Sequence, residues 1–368
     1  MKMYKNIIGV LLLFISISFS SCTETVVENR EATIDIPKID NQSEAIANFF
    51  SQSGDYINGT KSPYLIGADD VKDNLDKYLL IDTRYHEDYV KGHIDGAINV
   101  DREKIIGFLK SINIYQYEKI IIIDNTGQGA AYVASILRAI GYGSVFPLKY
   151  GMSAWSKEFA THWASNVGDK GSSIITKEVY KKPKKGKLPI IKNKGTTISE
   201  ILELRAKAEI KYNFSITIEK LIPNMDDYYI INYWPKSAYN QAHLKGAHWY
   251  QPKKSININT DLTTIPANKK VLVYCYTGQN SSAVVGYLRL LGYDAYSLRF
   301  GSNSFMHQAA ITNGWHGYIA KNKVNDYPLV AGDFPSKKKE AKANTIKNPD
   351  LNFKHRKVVQ PDPSEVCD

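Results

Sequence analysis

Residues Leu79 to Val100 read LLIDTRYHEDYVKGHIDGAINV, and Tyr229 to Tyr250 read YIINYWPKSAYNQAHLKGAHWY. Laid against each other at an offset of 150, Tyr89 meets Tyr239, His93 meets His243, Gly96 meets Gly246 and Ala97 meets Ala247. Further along, IIIDNTGQGAAYVASILRAIGYG opposes VLVYCYTGQNSSAVVGYLRLLGYD. Here Thr126, Gly127 and Gln128 meet Thr277, Gly278 and Gln279 at an offset of 151, and Arg138, Gly141 and Tyr142 meet Arg289, Gly292 and Tyr293. The offset is 150 again at Gly151 and Gly301. One unit is therefore repeated, with single-residue insertions or deletions in its loops.

Each copy alternates strand and helix signals. Leu79 to Ile81, Ile120 to Ile123, Tyr229 to Ile231 and Val271 to Tyr274 are short apolar runs, as buried parallel strands require. Val133, Ile136, Leu137 and Ile140 recur at helical spacing, as do Val284, Tyr287, Leu288 and Leu291, and each helix stops at a glycine, Gly141 or Gly292. Strand, glycine-bearing loop and helix in succession predict an α/β domain with a mostly parallel sheet, whose ligands bind at the carboxyl ends of the strands.

Outside the repeat, the chain opens with Lys2 and Lys5, an apolar run from Ile7 to Ile15, and small residues ending at Ser20, Ser21 and Cys22. The run is shorter than the roughly 20 residues a membrane-spanning helix needs, so residues 1–21 are expected to be a secretory signal. Cys22 directly after two serines resembles the lipidation site of a bacterial lipoprotein. The expected location is the bacterial cell envelope, facing the periplasm, with the outer membrane favoured because Thr23 is not the aspartate that retains many lipoproteins at the inner membrane. With 43% hydrophobic and 11% aromatic residues, the rest can build ordinary cores. The net charge of +10 gathers in lysine runs, Lys181 to Lys187 and Lys337 to Lys339. These read as solvated connections, and with no basic stripe carrying interleaved aromatics they exclude a nucleic-acid partner.

Of the three cysteines, Cys22 belongs to the leader and Cys367 to a proline-rich tail, which leaves Cys275 inside a copy. It follows the strand Val271 to Tyr274, and the loop CYTGQN then turns into a helix. A loop that folds back before a helix points backbone N–H groups inward, and the helix N-terminus adds partial positive charge. Such a cradle favours the thiolate, the nucleophilic form, and equally the oxygens of an anionic substrate. Gly278 permits the turn, and Thr277 and Gln279 can orient the loop.

These residues resemble the rhodanese family over both copies, from about Ser62 to Trp163 and from Ile198 to His316. LLIDTR with EDYVKGHIDGAINV is similar to the family's first signature, and VLVYCYTGQNSSA to its active-site loop. The resemblance implies two tandem α/β domains, each a mostly parallel five-stranded sheet flanked by helices. It further implies a sulfurtransferase that carries sulfane sulfur as a Cys275 persulfide, from a thiosulfate-like or persulfide donor to a thiol or cyanide-like acceptor. Tyr276, Thr277, Gly278, Gln279, Asn280 and Ser281 would form the substrate cradle, with no metal and no organic cofactor. The expected layout is a linker over 22–60, a first domain over 61–165, a basic linker over 166–197, a second domain over 198–322 and a basic tail over 323–368.

The copies depart from each other at the sites that matter. Asp124 stands where Cys275 stands, so the first copy cannot form a persulfide and is expected to be a degenerate site serving as a structural or docking partner. Asn232 and Trp234 replace the pair Asp82 and Arg84 beside the cysteine loop, and Asn280 fills a position where many single-domain members have arginine. No arginine lies between Cys275 and Ser282, which argues against a phosphatase. Arg299 could face the pocket, but it recurs as Lys149 in the copy without the cysteine, so a surface role is expected for it. His93 and His243 are expected to be structural. Beside the sulfurtransferase, two other readings stay open: a non-catalytic envelope docking module on the same fold, and a thiol redox protein pairing Cys275 with Cys367.

Overall fold

The computed structural model describes residues 39–333. Cys22, Cys367 and the signal segment lie outside them. In the first domain, β1 (Tyr78–Asp82), β2 (Ile98–Asn99), β3 (Lys119–Ile123) and β4 (Val145–Pro147) form a parallel sheet in the order β2-β1-β3-β4. After β5 (Ile175–Thr176), the second domain lays β6 (Ser215–Ile216), β7 (Tyr228–Asn232), β9 (Ala247–Trp249), β10 (Lys270–Tyr274) and β11 (Ala295–Leu298) in the order β6-β11-β10-β7-β9, again all parallel. The expected five strands are present only there. In the first domain the position of β6 is held by a single parallel bridge between Ile66 and Leu148. The cis Ser62–Pro63 bond and the left-handed Tyr64 lie just before that bridge, and no strand runs on either side of it.

The central strands are buried on both faces, which explains runs such as Ile120 to Ile123 with no alternation. Four helices of eleven or twelve residues carry the packing: α1 (Gln42–Gln52), α2 (Gln128–Ala139), α3 (Ile198–Glu209) and α4 (Gln279–Leu290). Helices α2 and α4 are the equivalent elements of the two copies, and they pack against each other. Almost every residue of either is buried, because each meets its own sheet on one side and its counterpart on the other. Gly286 allows their close approach, since a Cβ there would sit 3.1 Å from the Tyr132 carbonyl oxygen and from Ser135 Cβ. The Ser135 hydroxyl donates to the Ala283 carbonyl at 2.7 Å across the same contact. One apolar core consequently runs through both domains.

The stretch before residue 61, expected as a linker, instead carries α1. Its Asn41 cap accepts from the Glu44 N–H at 3.2 Å, and Ile46, Ala47 and Phe50 are buried. Phe50 meets Tyr287 of α4 with ring centres 5.1 Å apart, so this helix covers the seam between the copies. The basic segment 166–197 does connect the domains, and it lies along the second. Its β5 pairs antiparallel with β8 (His243–Leu244), Lys182 meets Asp261 at 2.7 Å and lies over the Tyr250 ring, and Leu188 and Ile191 are buried. The chain after the second domain returns to the first, where Tyr327 N–H donates to the Trp155 carbonyl at 2.7 Å and Val330 bridges to His93. No helix among the described residues is long and apolar enough to cross a membrane.

Because one core serves both domains, Phe50→Ala is expected to cost about 3 to 5 kcal/mol and to lower the stability of both domains together. Urea unfolding followed by tryptophan fluorescence and by circular dichroism should remain a single transition; two separated transitions would contradict the shared core.

Candidate active site

The two equivalent loops that follow β3 and β10 face each other where α2 and α4 begin. Gly127 and Gly278, both at φ +81°, cap these helices in the left-handed conformation. Space is a second reason for glycine at 278, because a Cβ would lie 2.5 Å from Gln128 Oε1 of the other copy. That oxygen accepts the Phe300 N–H at 2.8 Å, and Gln279 Oε1 accepts the Tyr150 N–H at the same distance. Tyr150 and Phe300 are themselves left-handed, at φ +61° and +62°, a conformation that costs energy in a non-glycine residue and persists where surroundings enforce it. Each loop thus fastens the other domain through a reciprocal pair of bonds.

What the two loops hold differs. In the first, the Asp124 carboxylate turns into its own loop and accepts N–H bonds from Gly127 at 2.5 Å, Gly129 at 2.8 Å and Thr126 at 3.3 Å. Burial raises its pKa above the ordinary carboxylate value, and these backbone N–H groups counter the burial only in part. Asp124 therefore fills the anion cradle and stands where the other copy has Cys275. In the second, Cys275 is 3% exposed, its sulfur accepts from the Ser281 N–H at 3.4 Å, and the Ser281 hydroxyl stands 3.6 Å away. The N–H groups of Thr277, Gly278 and Asn280, which match those that hold the carboxylate in the first loop, donate to no acceptor among the described residues. The carboxylate of Asp124 marks where an oxyanion can be held in the Cys275 loop.

Above the sulfur lies a cavity of about 170 Å³ between the domains. Cys275, Tyr276, Thr277, Gln279 and Asn280 line it. Of the other cradle residues, Gly278 shapes the turn and Ser281 lies under the sulfur, its hydroxyl bonded to the Gly278 carbonyl at 3.1 Å and to the Ser297 hydroxyl at 2.8 Å. Gln279 faces the cavity while its oxygen is committed to the first domain. Trp234 closes one side, stacked on Tyr276 at 5.0 Å and edge-on to Tyr274 at 5.1 Å. Burial pushes the Tyr276 hydroxyl up to about 12, so it keeps its proton at neutral pH. In the first domain the position of Trp234 is Arg84, paired with Asp82 at 2.7 Å in a fully buried bidentate bridge. In the second, Asn232 instead donates to the Tyr274 hydroxyl at 2.9 Å, which also accepts the Leu244 N–H at 3.0 Å. The buried ion pair has been exchanged for an aromatic wall and a neutral hydrogen-bond chain.

Arg299 is exposed, as expected, and it also lines a cavity. Lys149, of the first domain, lines the Cys275 cavity, and Arg299, of the second, lines the cavity at Asp124. The cause is the reciprocal loop contact: Lys149 precedes Tyr150 and Arg299 precedes Phe300, the two residues bonded to the opposite loop. Lys253 adds a second cation to the Cys275 cavity.

His93 and His243 lie away from both loops. Both are fully buried, stack on Tyr89 and Tyr239 at 3.8 and 3.7 Å, and bond through Nδ1 to the carbonyls of those residues at 2.9 and 2.6 Å. Among the described residues no cluster of histidine, cysteine, aspartate and glutamate is arranged to hold a metal ion.

The sequence profile described as Rhodanese-like domain matches the chain twice, over residues 67–158 and 217–308. A tRNA sulfurtransferase of Thermoplasma volcanium is 24% identical over 202 residues, covering 52% of this chain and 40% of its own. The Escherichia coli K12 protein YibN, described as uncharacterized, is 32% identical over 90 residues, 23% of this chain and 60% of its own. The chain thus spans 60% or less of these curated relatives. Among solved structures, a thiosulfate sulfurtransferase from Pseudomonas aeruginosa is similar at 13% identity and TM-score 0.27, covering 80% of this chain and 49% of that one. SseA of Escherichia coli, a 3-mercaptopyruvate sulfotransferase, is similar at 14% identity and TM-score 0.24, with 64% and 97% covered. The profile match carries the assignment, and these superpositions add no argument to it.

Removing either loop-to-loop bond leaves a buried N–H without an acceptor. Gln279→Ala and Gln128→Ala should each lose about 1 to 3 kcal/mol in urea unfolding; a loss near zero in both would mean that the loops are not coupled.

Proposed function

Because the chain belongs to the rhodanese-like family, matched over both of its domains, we propose that it transfers sulfane sulfur through a persulfide on Cys275. Sulfur transfer in general is the role that the similar tRNA sulfurtransferase supports. The observation that favours Cys275 as the carrier is the pair of loops: one cradle is filled by a carboxylate, and its counterpart has the matching N–H groups, without an acceptor among the described residues, beside a thiol.

The Cys275 thiolate attacks the outer sulfur of a thiosulfate-like donor. The sulfur–sulfur bond breaks and sulfite leaves with the bonding pair, while the new bond makes the persulfide. The N–H groups of Thr277, Gly278 and Asn280 hold the donor's oxygens, and Lys149 and Lys253 offset its charge. A thiolate or cyanide acceptor then attacks the terminal sulfur, takes it up, and releases Cys275 as the thiolate. A cavity of about 170 Å³ suits a small anion, being below the roughly 300 to 1,000 Å³ of most small-molecule sites. The aromatic wall of Trp234 and Tyr276 keeps bulk water from the persulfide. The first domain, whose loop cannot carry sulfur, has as its contribution the cation Lys149 and the bonds that hold the second loop in place.

We place this activity in the bacterial cell envelope, with the chain anchored by a lipid on Cys22 and its globular part on the periplasmic side. The motif from Lys2 to Cys22 supports that reading.

The test is thiosulfate-to-cyanide transfer by the chain without its signal segment, read as thiocyanate. Wild type should turn over and Cys275→Ser should not. Lys149→Ala should raise KM for thiosulfate by about tenfold, the worth of one charge-assisted contact, while leaving kcat nearly unchanged and steepening no salt dependence. Equal rates in wild type and Cys275→Ser would remove Cys275 from the chemistry, and an unchanged KM in Lys149→Ala would remove the first domain from donor binding.

A further inference from the structure

The degenerate first domain has the larger cavity, about 410 Å³ against about 170 Å³ at Cys275, and within the range of small-molecule sites. Three arginines from separate segments line it: Arg84 after β1, Arg102 after β2, and Arg299 from the second domain. His162 joins them, and among the described residues Asp124 is the only carboxylate in the wall. The charge of Asp124 does not answer the arginines, because its oxygens are turned into the loop and held by three backbone N–H groups. Arg102 and Arg299 form no ion pair among the described residues; Arg102 lies 6.0 Å from the Phe214 ring and Arg299 lies 5.9 Å from the Phe300 ring.

Two buried polar atoms of the wall are also unsatisfied. Arg84 is 4% exposed and spends Nε and Nη2 on Asp82 and on the Gly92 carbonyl, while Nη1 has no partner. Asn125 Oδ1 likewise has none. Leaving such groups unmet costs free energy, and they mark this wall as polar down to its buried layer. Planar guanidinium groups converging from both domains match oxyanion geometry.

We propose that the cavity beside Asp124 is a binding site for a small oxyanion, a carboxylate or a sulfur oxyanion, clamped between Arg102 of the first domain and Arg299 of the second. The site is separate from the Cys275 cavity and independent of the sulfur-transfer reading. It makes the degenerate domain a ligand-binding unit with a seat at the domain boundary.

Titration calorimetry at low ionic strength on the Cys275→Ser chain, with sodium sulfate and disodium malonate in separate runs, tests this. At least one anion should bind saturably at one per chain, and which one does assigns the oxyanion type. Arg102→Ala and Arg299→Ala should each weaken binding by about tenfold, Arg299→Lys should weaken it less, and Lys149→Ala should leave it unchanged. The urea midpoints of these variants, all at half-buried or exposed positions, should stay at the wild-type value. Three results would overturn the proposal: neither anion binds, binding survives both arginine substitutions, or binding is lost in Lys149→Ala, which would put the anion at Cys275.

Discussion

Everything functional in this molecule depends on helix α2 lying against helix α4. Both helices are buried nearly all round, Gly286 lets them approach closely, and a single apolar core extends through the contact into both domains. Because a parallel α/β sheet presents its loops at the carboxyl ends of its strands, docking the two equivalent helices brings the two equivalent loops face to face. Gln128 and Gln279 then exchange bonds with the backbone beyond the opposite loop. A cation next to each bonded residue is carried into the neighbour's cavity. Neither site is built from one domain alone.

From that shared frame the two loops have diverged by chemistry, not by shape. Their caps have the same left-handed glycine, and the residues that follow run into equivalent helices. Asp124 supplies its own anion, so the first cradle is closed to an incoming one, and the ion pair of Asp82 and Arg84 is retained beside it. Cys275 puts no acceptor into its own cradle beyond its sulfur, and Trp234 and Asn232 stand in place of the neighbouring ion pair as an aromatic and neutral surround.

Much of this was legible in the sequence because it is local. The repeat, the parallel strands, the cysteine at a strand end and the loop-to-helix turn each follow from periodicity or from a few adjacent residues, and the structural histidines follow from the lack of any partner at ligand spacing. The misreadings share a different cause. That Lys149 and Arg299 line cavities of the opposite copies is fixed by the contact between domains, which local sequence does not register. Trp234 reads in sequence as the loss of a charged pair, and only its stacking on Tyr276 identifies it as a wall of the cavity. Helix α1 did leave a signal in Asn41, Glu44 and the spacing of Ile46 and Phe50, which a polar, short segment before the repeat obscured. The fifth strand of the first domain is reduced to the single Ile66–Leu148 bridge, a difference between the copies that sequence periodicity does not register.

The central claim is that the loop after β10 holds an anionic sulfur donor against a nucleophilic Cys275. Intact mass measured after exposure to thiosulfate and removal of excess reagent addresses it most directly. The wild-type chain should gain the mass of one sulfur atom, releasable by cyanide, and Cys275→Ser should gain nothing. A folded wild-type chain with a titratable Cys275 thiol and no added mass would contradict the account.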